Sequence, residues 1–255
     1  VSEHIIFEQP LNEKCRTMLR LAHLFEQFDY HMPRSTSWHA RAALRALLDI
    51  SVILARADIK SELIKEMKRY HSSLSRMADL PDVDHHRLQH ILQNLRDNQQ
   101  ALQAIRGQLG AALRSSDFLN SVLQRSAIPG GGFDFDLPQL HYWLALPHAE
   151  RLLQFDDWRN EVAPVHEAVD LLLGLIRHST TFQPQQAHAG FYQQALPGST
   201  STQMIRVRLP EEARLYAEIS GGKHRFSIRF MDSSDWEHPV QTARNVTFEL
   251  NICSI

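Results

Sequence analysis

At 255 residues the chain exceeds the usual size of one compact domain, and about 150 residues per domain makes two the expectation. With 43% hydrophobic and 22% charged residues it has the balance of a folded protein with a sizeable core, which excludes wholesale disorder. Twenty-seven Lys+Arg against 29 Asp+Glu leave a net charge of −2, which excludes a global basic field of the kind that coats nucleic acid and allows only a local basic patch.

In chain order, His4 to Glu8 is a short β-prone run closed by Pro10, and Asn12 is placed to cap a helix beginning at Glu13. That helix carries Cys15, Met18, Leu19, Ala22, Phe25 and Phe28 on one side and stops at Pro33. A second helix is expected from Ser37 to about Ala55, after which Arg56-Ala57-Asp58 breaks the run. Ile59, Leu63, Met67, Tyr70, Leu74 and Met77 then recur at helical spacing, as do Leu88, Ile91, Leu95, Leu102 and Ile105 beyond Pro81. These two helices predict a long antiparallel hairpin inside a helical bundle. Pro129-Gly130-Gly131-Gly132 ends a further amphipathic piece, and the alternation Phe133-Asp134-Phe135-Asp136-Leu137 predicts an extended segment. Pro138 suits the first turn of the next helix, and from Pro147 to about His178 the chain reads helical, with Pro164 marking a kink or a fresh start. Gln183 to Ala189 is expected to be a loop.

Beyond Gly190 the apolar period changes from 3.6 to 2. Ile205-Val207-Leu209, Leu215-Ile219, Phe226-Ile228-Phe230 and Val246-Phe248-Leu250-Ile252 alternate with polar residues, which predicts four half-buried antiparallel strands. The expected class is α+β, with a mainly helical domain over 11–180 and a β domain over 188–255, joined by strands near 4–8 and 133–137.

Few residues suggest chemistry. His86 and His90 share a helix face but lack the HExxH glutamate or a third ligand, so no metal is expected. The glycines after Pro129 follow a helix and precede an extended run, the reverse of a phosphate-binding loop. No nucleophile elbow is present, so no cofactor and no catalytic residue are assigned. The two cysteines, Cys15 and Cys253, form no CxxC pair, VSEHIIFEQP lacks a leader pattern, and no apolar run approaches about 18 residues, so the expectation is a soluble cytoplasmic protein. The pointed feature is Lys223-His224-Arg225-Phe226-Ser227-Ile228-Arg229-Phe230. Period-2 geometry puts Arg225, Ser227 and Arg229 on one face, and no acid occurs from Gly221 to Phe230. Should Arg206 and Arg208 share that face, four guanidinium groups gather; otherwise each pairs with acids such as Glu218 or Glu249. An unneutralised row attracts acidic peptide, phosphate or nucleic acid. For nucleic acid, base-stacking aromatics are expected on the basic face, whereas Phe226 and Phe230 point away from it.

Several stretches together resemble the ZapD family, the Z-ring-associated proteins of bacterial cell division. They are Phe7-Glu8-Gln9-Pro10-Leu11-Asn12-Glu13-Lys14 with Arg16, Leu19 and Arg20; Ile128-Pro129-Gly130-Gly131 with Phe135-Asp136-Leu137-Pro138, Leu140-His141 and Trp143-Leu144; and Gly190-Phe191-Tyr192-Gln193 and Ile219-Ser220-Gly221 with Lys223 and Arg225 to Met231. The resemblance implies a cytoplasmic, non-enzymatic homodimer that binds the C-terminal tail of the filament-forming division protein FtsZ, bundles its filaments and gathers at the septum. It also implies a basic pocket built from Arg56, Arg225 and Arg229, with Lys223 and Arg206 around it. A nucleic-acid-binding regulator using the same sheet face is the alternative.

Overall fold

Short-range chemistry starts most of the elements in the computed structural model, which describes residues 4–56, 58–78, 83–196, 202–222 and 224–254. Strand β1 (His4–Pro10) ends on its proline, and the Asn12 side chain accepts the Cys15 N–H at 2.9 Å to open α1 (Glu13–His31). Thr36 caps α2 (Ser37–Leu54), which is followed by α3 (Ile59–Ser75); Asp84 caps α4 (His85–Ala104). The short α5 (Ala111–Ser115) precedes α6 (Asp117–Ser126), capped by Ser116, and Pro138 occupies the first turn of α7 (Pro138–Ala145). Helix α8 (His148–Arg177) runs through Pro164 as a single element, where the sequence allowed a break. Strands β2 (Gln183–Ala187), β3 (Phe191–Ala195), β4 (Thr202–Pro210), β5 (Leu215–Gly221), β6 (Arg225–Asp232), β7 (Val240–Gln241) and β8 (Val246–Ser254) complete the chain.

These elements form an α+β protein of two compact units, one of residues 17–172 and the other of residues 1–16 with 173–255. In the helical unit α3 packs along α4, burying Leu63, Met67 and Tyr70 from one and Leu88, Leu95 and Leu102 from the other. Around α8, Phe155 meets the edges of Phe28 (5.7 Å) and Trp143 (5.3 Å), and Trp158 stacks on Phe118 (6.1 Å). Phe28 and Phe155, both fully buried, each contribute about 1.5–3 kcal/mol through burial alone.

Residues 133–137 are not a strand and join no sheet. Phe133 N–H bonds Gly130 O at 3.2 Å, and the N–H groups of Asp136 and Leu137 bond Phe133 O at 3.1 and 3.0 Å. Gly130 holds φ at 73°, a value that favours glycine, so the segment satisfies its backbone in consecutive turns and leaves Phe133 and Phe135 exposed. Asp134 lies 2.8 Å from the His141 ring nitrogen and Asp136 3.9 Å from the Arg125 guanidinium.

In the β unit all strand pairs are antiparallel, in two sheets of order β1-β4-β8-β2 and β3-β6-β5, with β7 also beside β6. Ile205, Val207, Leu209, Phe248 and Leu250 of the first sheet share one apolar core with Phe226, Ile228 and Phe230 of the second. The intervening polar residues therefore face outward on opposite sides of this core. Gln183–Ala187, expected to be a loop, pairs with β8; only Ala187 of the five is buried, so the run has no apolar alternation to read. Ala189 (φ 48°) and Gly190 (φ 69°) then turn the chain from one sheet to the other, and a Cβ at position 190 would lie 2.3 Å from Thr242 O. This turn sets β3 beside β6.

Cys15 and Cys253 are fully buried in this unit. Burial, then the charges of Glu8 and the second thiol, push the Cys15 thiol up to about 12, and burial pushes Cys253 up to about 11. Both stay protonated and unreactive at neutral pH. A disulfide-exchange reagent at pH 8 is therefore expected to titrate neither thiol in the native protein and both after unfolding in denaturant; fast reaction of the native protein would contradict this packing.

Candidate partner-binding surface

Strand β6 builds the surface by its pleat. Phe226, Ile228 and Phe230 are buried, while Arg225 and Arg229 are exposed and Ser227 is half-buried between them. Register supplies the neighbours on the same face. From β3, Phe191 lies opposite Arg229, Gln193 opposite Ser227 and Ala195 opposite Arg225; from β5, Glu218 lies opposite Arg229 and Ser220 opposite Ser227. Gln193, Ser220, Gly222, His224, Arg225 and Ser227 line a shallow depression of about 400 Å³. Gly221 leaves room for the Leu11 side chain, since a Cβ there would lie 2.6 Å from Leu11 Cδ2.

The charges on this face are unequally neutralised. Arg229 Nη2 meets Glu218 Oε2 at 3.3 Å with both side chains well exposed, whereas Arg225 has no carboxylate partner among the described residues. A free guanidinium above a row of hydroxyl and amide groups can take a carboxylate or phosphate in a two-pronged hydrogen bond.

Arg206 and Arg208 do not join them. They lie on β4 in the other sheet, whose outward face is on the far side of the shared core. Arg206 is 13% exposed, donates to Glu8 at 2.9 Å and to the Arg177 carbonyl at 3.2 Å, and lies over the Phe182 ring. Arg208 is held by Glu249, whose carboxyl sits below its ordinary range chiefly because of that hydrogen bond. Arg206 is thus tied into its own sheet and does not share the face of Arg225 and Arg229: its acid, Glu8, comes from a strand 198 positions away. Arg56 belongs to the helical unit, in the turn after α2, where its Nη2 meets Asp58 Oδ2 at 3.4 Å with both side chains about half exposed. Lys223 lies outside the described residues.

Phe191 and Gln193 belong to the family-like stretch Gly190 to Gln193 but were not expected at the site. Phe191 is 42% exposed and puts one aromatic ring beside Arg229 on the basic face. The histidines of Asp84 to His90 are exposed, and among the described residues no group of three or more His, Cys, Asp or Glu is placed to hold a metal. Among the same residues no helix is long and apolar enough to cross a membrane.

Residues 19–229 match the family described as ZapD, cell division protein. A protein named cell division protein ZapD in Methylococcus capsulatus is 37% identical over 253 residues, covering 99% of each chain. Proteins of the same name from Pectobacterium atrosepticum, 37% identical over 254 residues, and from an Enterobacter species, 36% identical over 255 residues, each align over 99% of this chain and over 98% and 100% of their own length. Matches of this identity and coverage show that the chain belongs to the ZapD family of cell division proteins.

Proposed function

We propose that this chain binds the C-terminal tail of FtsZ on the outer face of β6 and, as a two-fold dimer, cross-links FtsZ filaments into bundles at the division septum. The observation that carries the reading is the outward row Arg225-Ser227-Arg229, with Arg225 unneutralised among the described residues and a polar depression beside it. Arg225 and Arg229 supply the charge, Ser227, Ser220 and Gln193 hydrogen-bond the tail backbone, and Arg56 and Lys223 are two further basic residues proposed for tail recognition. No bond is made or broken in this reading. A two-fold dimer presents two identical sites, so modest contacts to tails on different filaments sum by avidity. Ordering a flexible tail costs free energy, which keeps each single site weak and salt-sensitive.

Low-speed co-sedimentation with polymerised FtsZ tests this. The protein is expected to pellet full-length filaments and to leave tail-deleted filaments in the supernatant, while sedimentation equilibrium gives twice the chain mass. Equal pelleting of tail-deleted filaments would overturn the proposal. Phe191 favours a second reading to a limited degree, because it offers a stacking platform beside Arg229. Binding by a face with one exposed ring rests on phosphate contacts, so an oligonucleotide should bind weakly and without preference for base.

A further inference from the structure

The arginines that tie the β unit together and those of the candidate surface are paired differently. Arg177 and Arg206 close on Glu8 at 2.7 and 2.9 Å, and Glu8 is only 18% exposed. Arg229 stands 3.3 Å from Glu218 with the side chains 59% and 44% exposed, and Arg56 stands 3.4 Å from Asp58 at 53% and 51%. A charge-assisted N–H···O bond closes to about 2.7–2.9 Å when fully made. The two surface pairs are therefore loose contacts in solvent. Glu218 is kept within reach of Arg229 by the β5–β6 ladder, where the two residues are directly opposed, and Asp58 by the turn that leads into α3.

We propose that Glu218 is an internal competitor at the tail site: it occupies Arg229 in the free protein and yields it to a carboxylate of the incoming acidic peptide, while Arg225 is open from the start. This inference rests on the tail-binding reading. Docking then begins at Arg225 and the depression beside it. Engagement of Arg229 is an exchange of one carboxylate for another, so the count of ion pairs at that arginine does not rise and the gain is small. The displaced Glu218 also leaves a negative charge beside a negative ligand. Both effects hold the single-site affinity down and favour ligands with two carboxylates about 13 Å apart, the reach of four strand residues, over ligands with one. A weak site of this kind exchanges quickly and relies on avidity.

The test is a set of anisotropy titrations of a labelled FtsZ tail peptide with the whole chain as wild type, Glu218→Gln, Arg229→Ala, the Glu218→Gln/Arg229→Ala double variant and Arg225→Glu. Glu218→Gln is expected to tighten binding about threefold to fivefold at low salt, the scale of an exposed ion pair. The gain should shrink as salt rises and vanish when Arg229 is Ala. An unchanged or weaker affinity for Glu218→Gln would show that the carboxylate orients Arg229 and would overturn the proposal, as would a gain that persists without Arg229. Should those results appear while Arg225→Glu still loses binding, the exchange fails and the tail site stands. Wild-type affinity in Arg225→Glu would remove both.

Discussion

Glu8→Ala is expected to lower the stability of the protein by about 2–3 kcal/mol, seen as a lower urea midpoint with an unchanged slope. Glu8 on β1 accepts from Arg177 Nε and Nη2 at 2.9 and 2.7 Å and from Arg206 Nε at 2.9 Å. Removing it takes away the carboxylate that bridges two guanidinium groups, one of them 13% exposed. Breaking a fully buried pair costs about 3–5 kcal/mol, and the 34% exposure of Arg177 reduces that figure. Arg206→Met should cost less than Glu8→Ala, because Glu8 keeps Arg177 and the methionine still packs near Phe182. The same variant separates structure from binding: Arg206→Met should bind the tail peptide with wild-type affinity, and a clear loss would return Arg206 to the site.

Arg225→Glu is expected to weaken tail binding about thirtyfold. A hydrogen bond to a charged group contributes about 1.5–3 kcal/mol, and the new carboxylate also repels an acidic peptide. Arg229→Ala should cost less, since Glu218 already shares that arginine. Filament bundling should fall more steeply than peptide binding, because each cross-link needs two occupied sites. Wild-type binding in Arg225→Glu would mean that the tail docks elsewhere.

Strands with one apolar face were legible from their residues: β4, β5, β6 and β8 alternate, and β1 ends on a proline. Strand β2 was not, because its glutamines are mostly exposed and its place comes from pairing with β8. Residues 133–137 misled in the opposite way. Their alternation is real, but Phe133 and Phe135 are exposed and the backbone closes turns on itself after the glycines. At the candidate surface, period 2 correctly separated Arg225 and Arg229 from the buried phenylalanines. What the arginines pair with depends on register and on partners distant in the chain. Glu218 faces Arg229 through the β5–β6 register, and Glu8 claims Arg206 from the far end of the unit. Glu218 and Glu249 were the acids expected for these arginines, but which arginine each meets is set by register, and Glu8 has no local signal. Phe191 and Gln193 reach the face only because β3 pairs with β6.

On the proposed reading the FtsZ tail lies along the outer face of β6, and amide chemical-shift mapping of the isotopically labelled protein titrated with the tail peptide locates it residue by residue. Saturable shifts are expected at Gln193, Ser220, Arg225, Ser227 and Arg229, and none at Arg206 or Arg208 on the opposite sheet. Shifts confined to that other sheet, with β6 unmoved, would contradict it.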